Sequence, residues 1–393
     1  MFKNNFNFEL STKVISGPGS INNVYQFLKD KNYKKVGLIL DKNLYGNSNY
    51  IQNFSKQLKN KKIFKKILYF DGINEPSYQH LDCVINELKQ RRCGKFDCLI
   101  AIGGGSTIDF AKGIATLLKN PGKGLKYRGF PKNLNPSIPV VAIPSTTGTG
   151  AELAYNAVFI DLNSKVKLGI NTKNNYPILS ILDPKIISNS PKKVILNSSL
   201  GALIRSVDTM FNKKASKISK IYSEYSFKLL FNNLPKVLKK SNNLEYLSNM
   251  QWGAYLSIAA LLNSSSGIPP ISYYLSTNHN LPQGLGYAIS GIYFFERNHQ
   301  KGYHEYYKFF DLIEKKPNIK KLSKKEKSEF VIRSLLNILE YNKLTLKNKN
   351  FSNNENKKIL KFITKIYRKT SSNNPIALNK NDLKIVINKI LEN

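Results

Sequence analysis

Two glycine-rich segments carry the clearest chemical potential in this 393-residue sequence. Gly103, Gly104 and Gly105 follow an apolar run and precede a helical pattern, so the main chain there can approach a ligand closely. Ser106 is expected to cap that helix, whose N-terminal N–H groups and dipole favour an anion such as a pyrophosphate. The spacing matches neither a GxGxxG loop nor a Walker A loop. A tight turn without a ligand is the alternative.

A second segment, residues 143–152, also follows an apolar run and is rich in small hydroxyl side chains. Ser145, Thr146 and Thr149 can hydrogen-bond a ligand. Loops that follow neighbouring parallel strands meet at one edge of the sheet, where α/β sheets bind ligands, so the two segments together predict a dinucleotide site. Asp41 ends another predicted strand and is expected to accept from a ribose hydroxyl and repel a 2′-phosphate, which favours NAD over NADP. An ordinary turn aspartate is the alternative.

Short apolar runs alternate with helical periodicity through the first half of the chain. This alternation predicts βαβ units and a parallel sheet. The predicted strands cover residues 36–40, 63–70, 98–102 and 139–143, and the predicted helices cover residues 20–29, 50–59, 78–91 and 107–118. Residues 157–160 and 166–170 are expected to form a hairpin appended to that sheet.

Helical periodicity dominates after about residue 190. Helices are predicted at residues 199–211, 218–230, 246–262, 285–297, 324–339, 355–367 and 382–391. We therefore predict an α/β dinucleotide-binding domain with a Rossmann-like parallel sheet over residues 1–190, followed by an all-helical domain over residues 191–393. Residues 342–357 are polar, which predicts a surface loop or a frayed helix end.

Composition and charge narrow the classes of function. The chain has 61 Lys and Arg against 25 Asp and Glu, a net charge of +36, which is a common footprint of nucleic-acid binding. The basic residues are nearly all lysines and are scattered along the chain, so a solvated lysine surface is favoured over a functional anion field. No nucleic-acid partner is expected.

Membrane insertion and disulfide bonding are not expected either. The apolar runs are too short to cross a membrane. Cys83, Cys93 and Cys98 form no CxxC pair and no disulfide framework, so a cytoplasmic location is expected.

Several of these segments resemble the iron-containing (group III) alcohol dehydrogenase family, within the dehydroquinate-synthase-like superfamily. Residues 103–112 are similar to its GGGSxxDxAK motif, and residues 144–152 to its PTTxGTGSE motif. Residues 14–20 and 182–185 look like its N-terminal glycine turn and the strand that closes its first domain. The resemblance implies the dehydroquinate-synthase-like fold, a nicotinamide cofactor, a cofactor-binding role for Asp109, a small-molecule substrate and a homodimer.

One branch of the family fits best. Residues 118–122, 127–130, 167–171 and 271–276 look like the branch that oxidises the terminal alcohol of 3-deoxy-octulosonate to an aldehyde. The C-terminal Asn-Pro turn of the family is matched at residues 374–375, although Ile376 stands where the family has Arg.

The metal ligands of the family are not matched. The family binds its divalent metal through one Asp and three His, and the matching positions here hold Gly201, Arg205, Pro269 and Gln283. These side chains cannot rebuild a site of nitrogen and carboxylate ligands, so no bound divalent metal is expected. Only four His occur in the chain, and His279 alone does not make a site.

The resemblance also implies roles for individual side chains. Arg205 and Gln283 are candidates to hold the substrate, with the Arg205 guanidinium as a fixed charge near a developing alkoxide. Lys167 lies where the family has a lysine near cofactor and substrate, and is a candidate to neutralise pyrophosphate or relay a proton. Asp208, three residues after Arg205, is expected to orient it. The alternatives are a helix-surface arginine and a hairpin-surface lysine.

These features predict an NAD-dependent oxidoreductase that works without the usual metal. Hydride would pass between the nicotinamide and a small polar, anionic, sugar-acid-like alcohol or aldehyde. Two alternatives stay open. One is a non-catalytic NAD-binding scaffold, which the loss of the ligands favours. The other is a non-redox member of the superfamily.

Overall fold

A computed structural model describes residues 9–61, 63–71, 75–92, 94–240, 242–316, 321–346, 351–352, 354–366 and 373–392. Its internal contacts divide the chain into two units. An α/β unit is built from Leu10–Ile195 and Lys236–Trp252, and a helical unit from Leu196–Pro235 and Gly253–Asn393. The domain boundary that we place at residue 190 stays a prediction. Cys93 lies outside the described residues.

The α/β unit alternates strands with helices, as the sequence predicts. Its strands are β1 (Lys13–Ser16), β2 (Val36–Asp41), β3 (Phe64–Phe70), β4 (Cys98–Gly103), β5 (Val140–Pro144), β6 (Asn156–Ala157), β7 (Ile160–Asp161), β8 (Val166–Lys167), β9 (Ile170–Asn171) and β10 (Leu179–Leu182). Its helices are α1 (Asn23–Asp30), α2 (Lys42–Gly46), α3 (Asn49–Asn60), α4 (Tyr78–Gln90), α5 (Gly105–Leu117) and α6 (Pro184–Ile187).

Six of these strands form one sheet in the order β1-β10-β5-β4-β2-β3, and every neighbouring pair is parallel. Both faces are covered, because side chains alternate along each strand. In β4, Ile100 and Ile102 pack in the same cluster as the apolar residues of α1 and α3, whereas Leu99 and Ala101 pack with those of α4 and α5. Burial on both faces explains the continuous apolar runs, which are typical of parallel sheets.

The segment after β5 departs from expectation. Strands β6 and β9 form one antiparallel pair and β7 and β8 another, and the two pairs are separate two-stranded sheets. The predicted hairpin is therefore present, but its place as an extension of the six-stranded sheet is wrong. Its backbone bridges go elsewhere: Ile160 pairs with Ser77, and Ile170 with Gly129.

Asp183, which follows β10, forms hydrogen bonds that connect several elements at the β1–β10 side of the sheet. Its carboxylate accepts from the N–H groups of Gly19 (3.1 Å) and Ile21 (3.2 Å) and from the Tyr50 hydroxyl (2.8 Å). It also caps α6 by accepting from the Lys185 N–H. One buried side chain thus joins the N-terminal glycine turn, α3 and the strand end that the sequence singled out.

The helical half matches its prediction in type and order. Its helices are α7 (Lys192–Phe211), α8 (Lys217–Lys239), α9 (Leu244–Leu262), α10 (Ile271–His279), α11 (Gln283–Gln300), α12 (Lys324–Tyr341), α13 (Glu355–Ile366) and α14 (Lys380–Glu392). A parallel sheet followed by helices confirms the predicted fold class. Helix α10 was not predicted, and α7 begins seven residues earlier than expected, directly after Pro191. Every helix in the described residues is too short or too polar to cross a bilayer.

Glu355, the first residue of α13, ties that helix to α10. Its side chain is 4% exposed, and its oxygens accept from the hydroxyls of Tyr274 and Ser352, both at 2.6 Å. The His279 ring nitrogen lies 2.9 Å from the same carboxylate. Burial alone would raise the pKa of Glu355, but the hydrogen bonds from Ser352, Tyr274 and His279 outweigh it and lower the pKa to about 2.

This carboxylate should make stability fall in acid. A glutamate in the unfolded chain has a pKa of about 4.3. The contribution of Glu355 to the unfolding free energy is therefore complete above that pH and is lost as the pH falls toward about 2. We expect Glu355→Gln to lower the unfolding free energy by about 2–3 kcal/mol at pH 7, and the difference from wild type to shrink in acid. Urea unfolding between pH 7 and pH 3 measures it. The exposed Glu245→Gln is the control, and a pH-independent difference would contradict the assignment.

Candidate functional site

The first glycine loop is the turn between β4 and α5. A Cβ at Gly105 would lie 2.7 Å from the Cβ of Thr149, so only glycine allows the two loops to pack this closely. Gly104 is the N-cap residue of α5 and, lacking a side chain, gives the first turn no capping acceptor. The expectation that Ser106 caps this helix is wrong, because Ser106 lies inside it. The first turn of α5, which has no capping side chain, is therefore suited to bind an anion at the carboxyl end of β4.

The second loop meets the first at this edge of the sheet. The Ser145 N–H donates to the Gly103 carbonyl at 2.9 Å, and a Cβ at Gly104 would lie 3.4 Å from the Thr146 methyl group. The Thr146 hydroxyl is buried and has no hydrogen-bond partner among the described residues. Buried hydroxyls are nearly always paired, so this one is suited to a ligand. The structure thus brings both predicted loops together.

Lys112 fixes the shape of the second loop, a role that the sequence did not reveal. Its side chain is fully buried in α5. Its ammonium donates to the main-chain oxygens of Ala151, Ala154 (2.7 Å) and Asn156 (3.0 Å). Burial lowers the pKa of Lys112. The lysine of the predicted motif is therefore a structural clamp on the chain that follows the loop.

Asp109 lies one turn into α5 and faces the hairpin. Its carboxylate accepts from the Val158 N–H at 3.1 Å and lies 3.5 Å from the Lys112 ammonium. Burial raises the pKa of Asp109 to about 6, against the opposing effect of Lys112. Both of these contacts are to the protein itself, and the cofactor role implied by the motif stays a prediction.

Lys167 is not on the hairpin surface. Its side chain is 1% exposed, and its ammonium forms an ion pair with Glu75 at 2.7 Å. The charge of Lys167 also opposes the rise that burial causes in the pKa of Asp109. Sequence reasoning missed Glu75, because nothing in its local sequence links it to a lysine some ninety residues away. Any proton relay or charge neutralisation by Lys167 has to include Glu75.

Asp41 ends β2 at the same edge of the sheet as the two glycine loops. One carboxylate oxygen caps α2 by accepting from the Leu44 N–H at 3.0 Å. Burial raises the pKa of Asp41, and the N–H groups of Leu44 and Asn43 oppose that shift. Asp41 can act both as the turn residue that caps α2 and as an acceptor for a ribose hydroxyl, because the capping bond uses only one of its two carboxylate oxygens.

In the helical unit, α7 and α11 touch through their main chains. A Cβ at Gly201 would lie 2.9 Å from the Cα of Gly284, and a Cβ at Gly284 would overlap the main-chain oxygen of Asn197. An aspartate, the ligand that the resemblance implies at position 201, could not be placed there without moving a helix. Glycine is needed here for closeness of approach rather than for an unusual φ.

Arg205 lies one turn beyond Gly201 on α7 and is half-buried. Its guanidinium donates to the hydroxyl of Ser257 on α9 at 2.9 Å. Its charge also acts to lower the pKa of Tyr287 on α11, although burial raises that pKa overall. Arg205 is therefore not a solvent-facing helix residue, and its side chain lies among α7, α9 and α11.

Asp208 has other partners than the one predicted. One oxygen accepts from the hydroxyls of Ser266 and Tyr287, each at 2.7 Å, and the other accepts from the Gly267 N–H at 2.8 Å. Burial raises the pKa of Asp208, and these donors oppose the shift. Asp208 therefore secures α11 and the turn after α9 beside Arg205. Sequence reasoning missed Tyr287, although its spacing of four residues from Gln283 could have revealed it.

The remaining expected metal positions lie at helix starts. Pro269 is in the turn before α10, and Gln283 is the first residue of α11. His279 is bound to Glu355 through its ring nitrogen. Within the described residues, no group of three or more His, Cys, Asp or Glu side chains is arranged to hold a metal ion.

Comparisons with known proteins cover nearly the whole chain. Residues 11–184 match the family profile described as iron-containing alcohol dehydrogenase, and residues 195–391 match the C-terminal profile of the Fe-containing alcohol dehydrogenase family. The NAD-dependent methanol dehydrogenase of Bacillus methanolicus is 26% identical over 288 residues, which is 72% of this chain and 74% of that protein.

Solved structures are similar in fold. An alcohol dehydrogenase from Oenococcus oeni has a TM-score of 0.88 at 21% identity, covering 98% of this chain and 100% of that one. A sulfoacetaldehyde reductase from Bifidobacterium kashiwanohense, solved with NAD+, has a TM-score of 0.84 at 17% identity and 98% coverage of both chains.

The α7–α11 contact makes a prediction about stability. We expect Gly201→Ala to lower the unfolding free energy by about 1–3 kcal/mol, because the added methyl group meets main-chain atoms that cannot yield without shifting a helix. Gly46→Ala in α2 is the matched control, since a Cβ there has nothing within 4 Å. Denaturant unfolding compares them. A Gly201→Ala protein as stable as Gly46→Ala would contradict the close contact.

Proposed function

Because the chain belongs to the iron-containing alcohol dehydrogenase family, we propose that it transfers hydride between a nicotinamide dinucleotide and a small polar, anionic alcohol or aldehyde, without the family's divalent metal. The observation that carries this proposal is that one chain combines dinucleotide-binding loops with ligand positions that do not suit a metal. Loops suited to a dinucleotide are kept in the α/β unit, while the family's ligand positions hold a glycine pressed against a neighbouring helix and an arginine.

The cofactor part of the proposal rests on the two loops. The first turn of α5 has no capping side chain and suits a pyrophosphate, and the Thr146 hydroxyl, which has no partner among the described residues, supplies a donor beside it. A relative named NAD-dependent and a similar structure solved with NAD+ support the choice of cofactor. When bound, the nicotinamide supplies or accepts the hydride. In this proposal Ser145, Thr149 and the glycine loop hold the pyrophosphate, and Asp41 accepts from a ribose hydroxyl.

The residues at the family's metal positions do not fit the ion. Zinc and iron sites use His, Cys or carboxylate ligands, whereas these four positions offer Gly, Arg, Pro and Gln. The packing of Gly201 on Gly284 leaves no room for a longer side chain at the first position. In this proposal the hydride transfer therefore uses no bound metal ion.

Arg205 takes the electrostatic role in this proposal. A guanidinium carries a permanent charge and donates in a fixed fork, so it can bind a substrate carboxylate or stabilise an oxyanion that develops on reduction. The hydrogen bond to Ser257 holds its orientation. Gln283, at the first turn of α11, offers an amide for the same substrate. The role of Lys167 in pyrophosphate binding or proton relay stays a prediction, and so does the homodimer.

The test of this function follows the hydride directly. The purified chain is incubated with NADH deuterated at C4 and with aldehydes that carry or lack a carboxylate, and mass spectrometry detects deuterium in the alcohol. We expect transfer to an anionic aldehyde, a loss of about 100-fold in kcat/KM with Arg205→Met, and partial retention with Arg205→Lys. The exposed Arg91→Met is the control. Cofactor binding without transfer to any aldehyde favours the non-catalytic alternative, and turnover with no net change in NADH favours the non-redox one.

Cofactor preference gives a second, separate prediction. Asp41→Asn keeps a capping side chain for α2 but removes the charge that would repel a 2′-phosphate. We expect the ratio of NADP to NAD affinity to rise about 10-fold without loss of stability. Cofactor titration and thermal unfolding measure the two quantities. An unchanged ratio would remove Asp41 from the proposed ribose site.

A further inference from the structure

Arg205 and Asp208 are three residues apart on α7, a spacing at which opposite charges stabilise a helix by pairing. The structure does not pair them. Both carboxylate oxygens of Asp208 accept hydrogen bonds from other groups, and among the described residues the Arg205 guanidinium is not one of the donors. Asp208 is 3% exposed, and burial favours the pairing of charges, so the separation of these two calls for an explanation.

Three donors occupy the Asp208 carboxylate. One oxygen accepts from the Gly267 N–H at 2.8 Å, in a turn where a Cβ at Gly267 would itself lie 3.1 Å from that oxygen. The other oxygen accepts from the hydroxyls of Ser266 and Tyr287, each at 2.7 Å. The Ser266 hydroxyl has a second acceptor in the Ile268 carbonyl at 3.1 Å, and a hydroxyl has only one hydrogen to give. This oxygen therefore depends chiefly on Tyr287.

The Arg205 guanidinium is held by a neutral partner. It donates to the Ser257 hydroxyl of α9 at 2.9 Å, a bond that orients the guanidinium without cancelling its charge. The charge is still felt at Tyr287, because it acts to lower the pKa of that hydroxyl against the larger effect of burial. An ion pair with Asp208 would instead neutralise Arg205, and a neutralised guanidinium attracts an anionic ligand less strongly.

We propose that Tyr287 is a positioning residue that keeps the Asp208 carboxylate away from Arg205, so that the Arg205 charge stays available to an anionic substrate. This inference rests on the proposed function and adds a residue to it. In this role Tyr287 acts through Asp208 rather than by touching the substrate. Without the Tyr287 hydroxyl, one oxygen of Asp208 loses a donor and turns to Arg205, a cation one turn earlier on the same helix.

The test compares two ligands of similar shape and different charge. Propanoate and propanamide are titrated calorimetrically into the full chain at constant ionic strength, and neither can exchange hydride with a nicotinamide. We expect wild type to prefer propanoate, and Tyr287→Phe to bind propanoate about 10-fold less tightly with propanamide binding unchanged. Tyr293→Phe, which removes another hydroxyl of α11, is the matched control and should behave as wild type.

A second substitution separates this role from a merely structural one. Asp208→Asn keeps a side chain of the same shape that cannot neutralise Arg205. The double variant Tyr287→Phe/Asp208→Asn should therefore regain the preference for propanoate that Tyr287→Phe loses. Removing a second native group would not restore binding if Tyr287 only supported the packing. If Tyr287→Phe does not fold, Ser266→Ala tests the same oxygen, and we expect a smaller loss that Asp208→Asn also restores.

The outcomes separate this inference from the proposed activity. The role of Tyr287 is overturned if wild type binds the two ligands equally, if Tyr287→Phe keeps the preference, or if the double variant does not regain it. Deuterium transfer from labelled NADH is scored separately on wild type. Absence of transfer beside the expected binding pattern would contradict the proposed activity and leave the role of Tyr287 standing.

Discussion

The close contact between α7 and α11 is the constraint on which the helical part of the account depends. Two glycines allow main chain to meet main chain, so the helices approach more closely than side chains would permit. Arg205 and Asp208 on α7 lie near Tyr287 on α11. The carboxylate of Asp208 accepts a hydrogen bond from the Tyr287 hydroxyl, and the charge of Arg205 acts to lower the pKa of that hydroxyl against the larger effect of burial. The closeness of the two helices also removes the space that a liganding side chain at position 201 would need.

In the α/β unit the corresponding constraint is the fixed shape of the two loops. Gly105 lets the second loop pack on the first. The buried Lys112 ammonium donates hydrogen bonds to three main-chain carbonyls at and after the end of the second loop. These contacts preorganise donors at the sheet edge before any ligand arrives. Preorganised donors cost no rearrangement on binding, which is why a loop of this kind suits a charged pyrophosphate.

Local patterns account for what the sequence predicted correctly. The strands of the sheet are buried on both faces, so their apolar runs are visible without any knowledge of their partners, and the glycine and hydroxyl loops stand directly after two of them. Helix α10 was missed because it has only nine residues and follows two prolines, which leaves little periodicity to read. The Ser106 cap was misassigned because Gly104 takes that position. The hairpin was misplaced because its pairing depends on Ser77 and Gly129, both remote in sequence.

The side-chain environments that could not be predicted depend on contacts between residues that are distant in sequence. Whether Lys167 is exposed depends on Glu75, and the partners of Asp208 come from another helix and from the turn after α9. The resemblance implies four ligand positions, and the α7–α11 contact leaves no room for an aspartate side chain at the first of them, Gly201.

The most direct test of the central claim measures metal content and hydride transfer on one preparation. Mass spectrometry of the elements gives the ratio of iron and zinc to protein, and deuterium transfer from labelled NADH is followed before and after dialysis against EDTA. The account predicts metal far below one ion per chain and transfer that chelation leaves unchanged. One ion per chain whose removal abolishes transfer, and whose return restores it, would contradict the account.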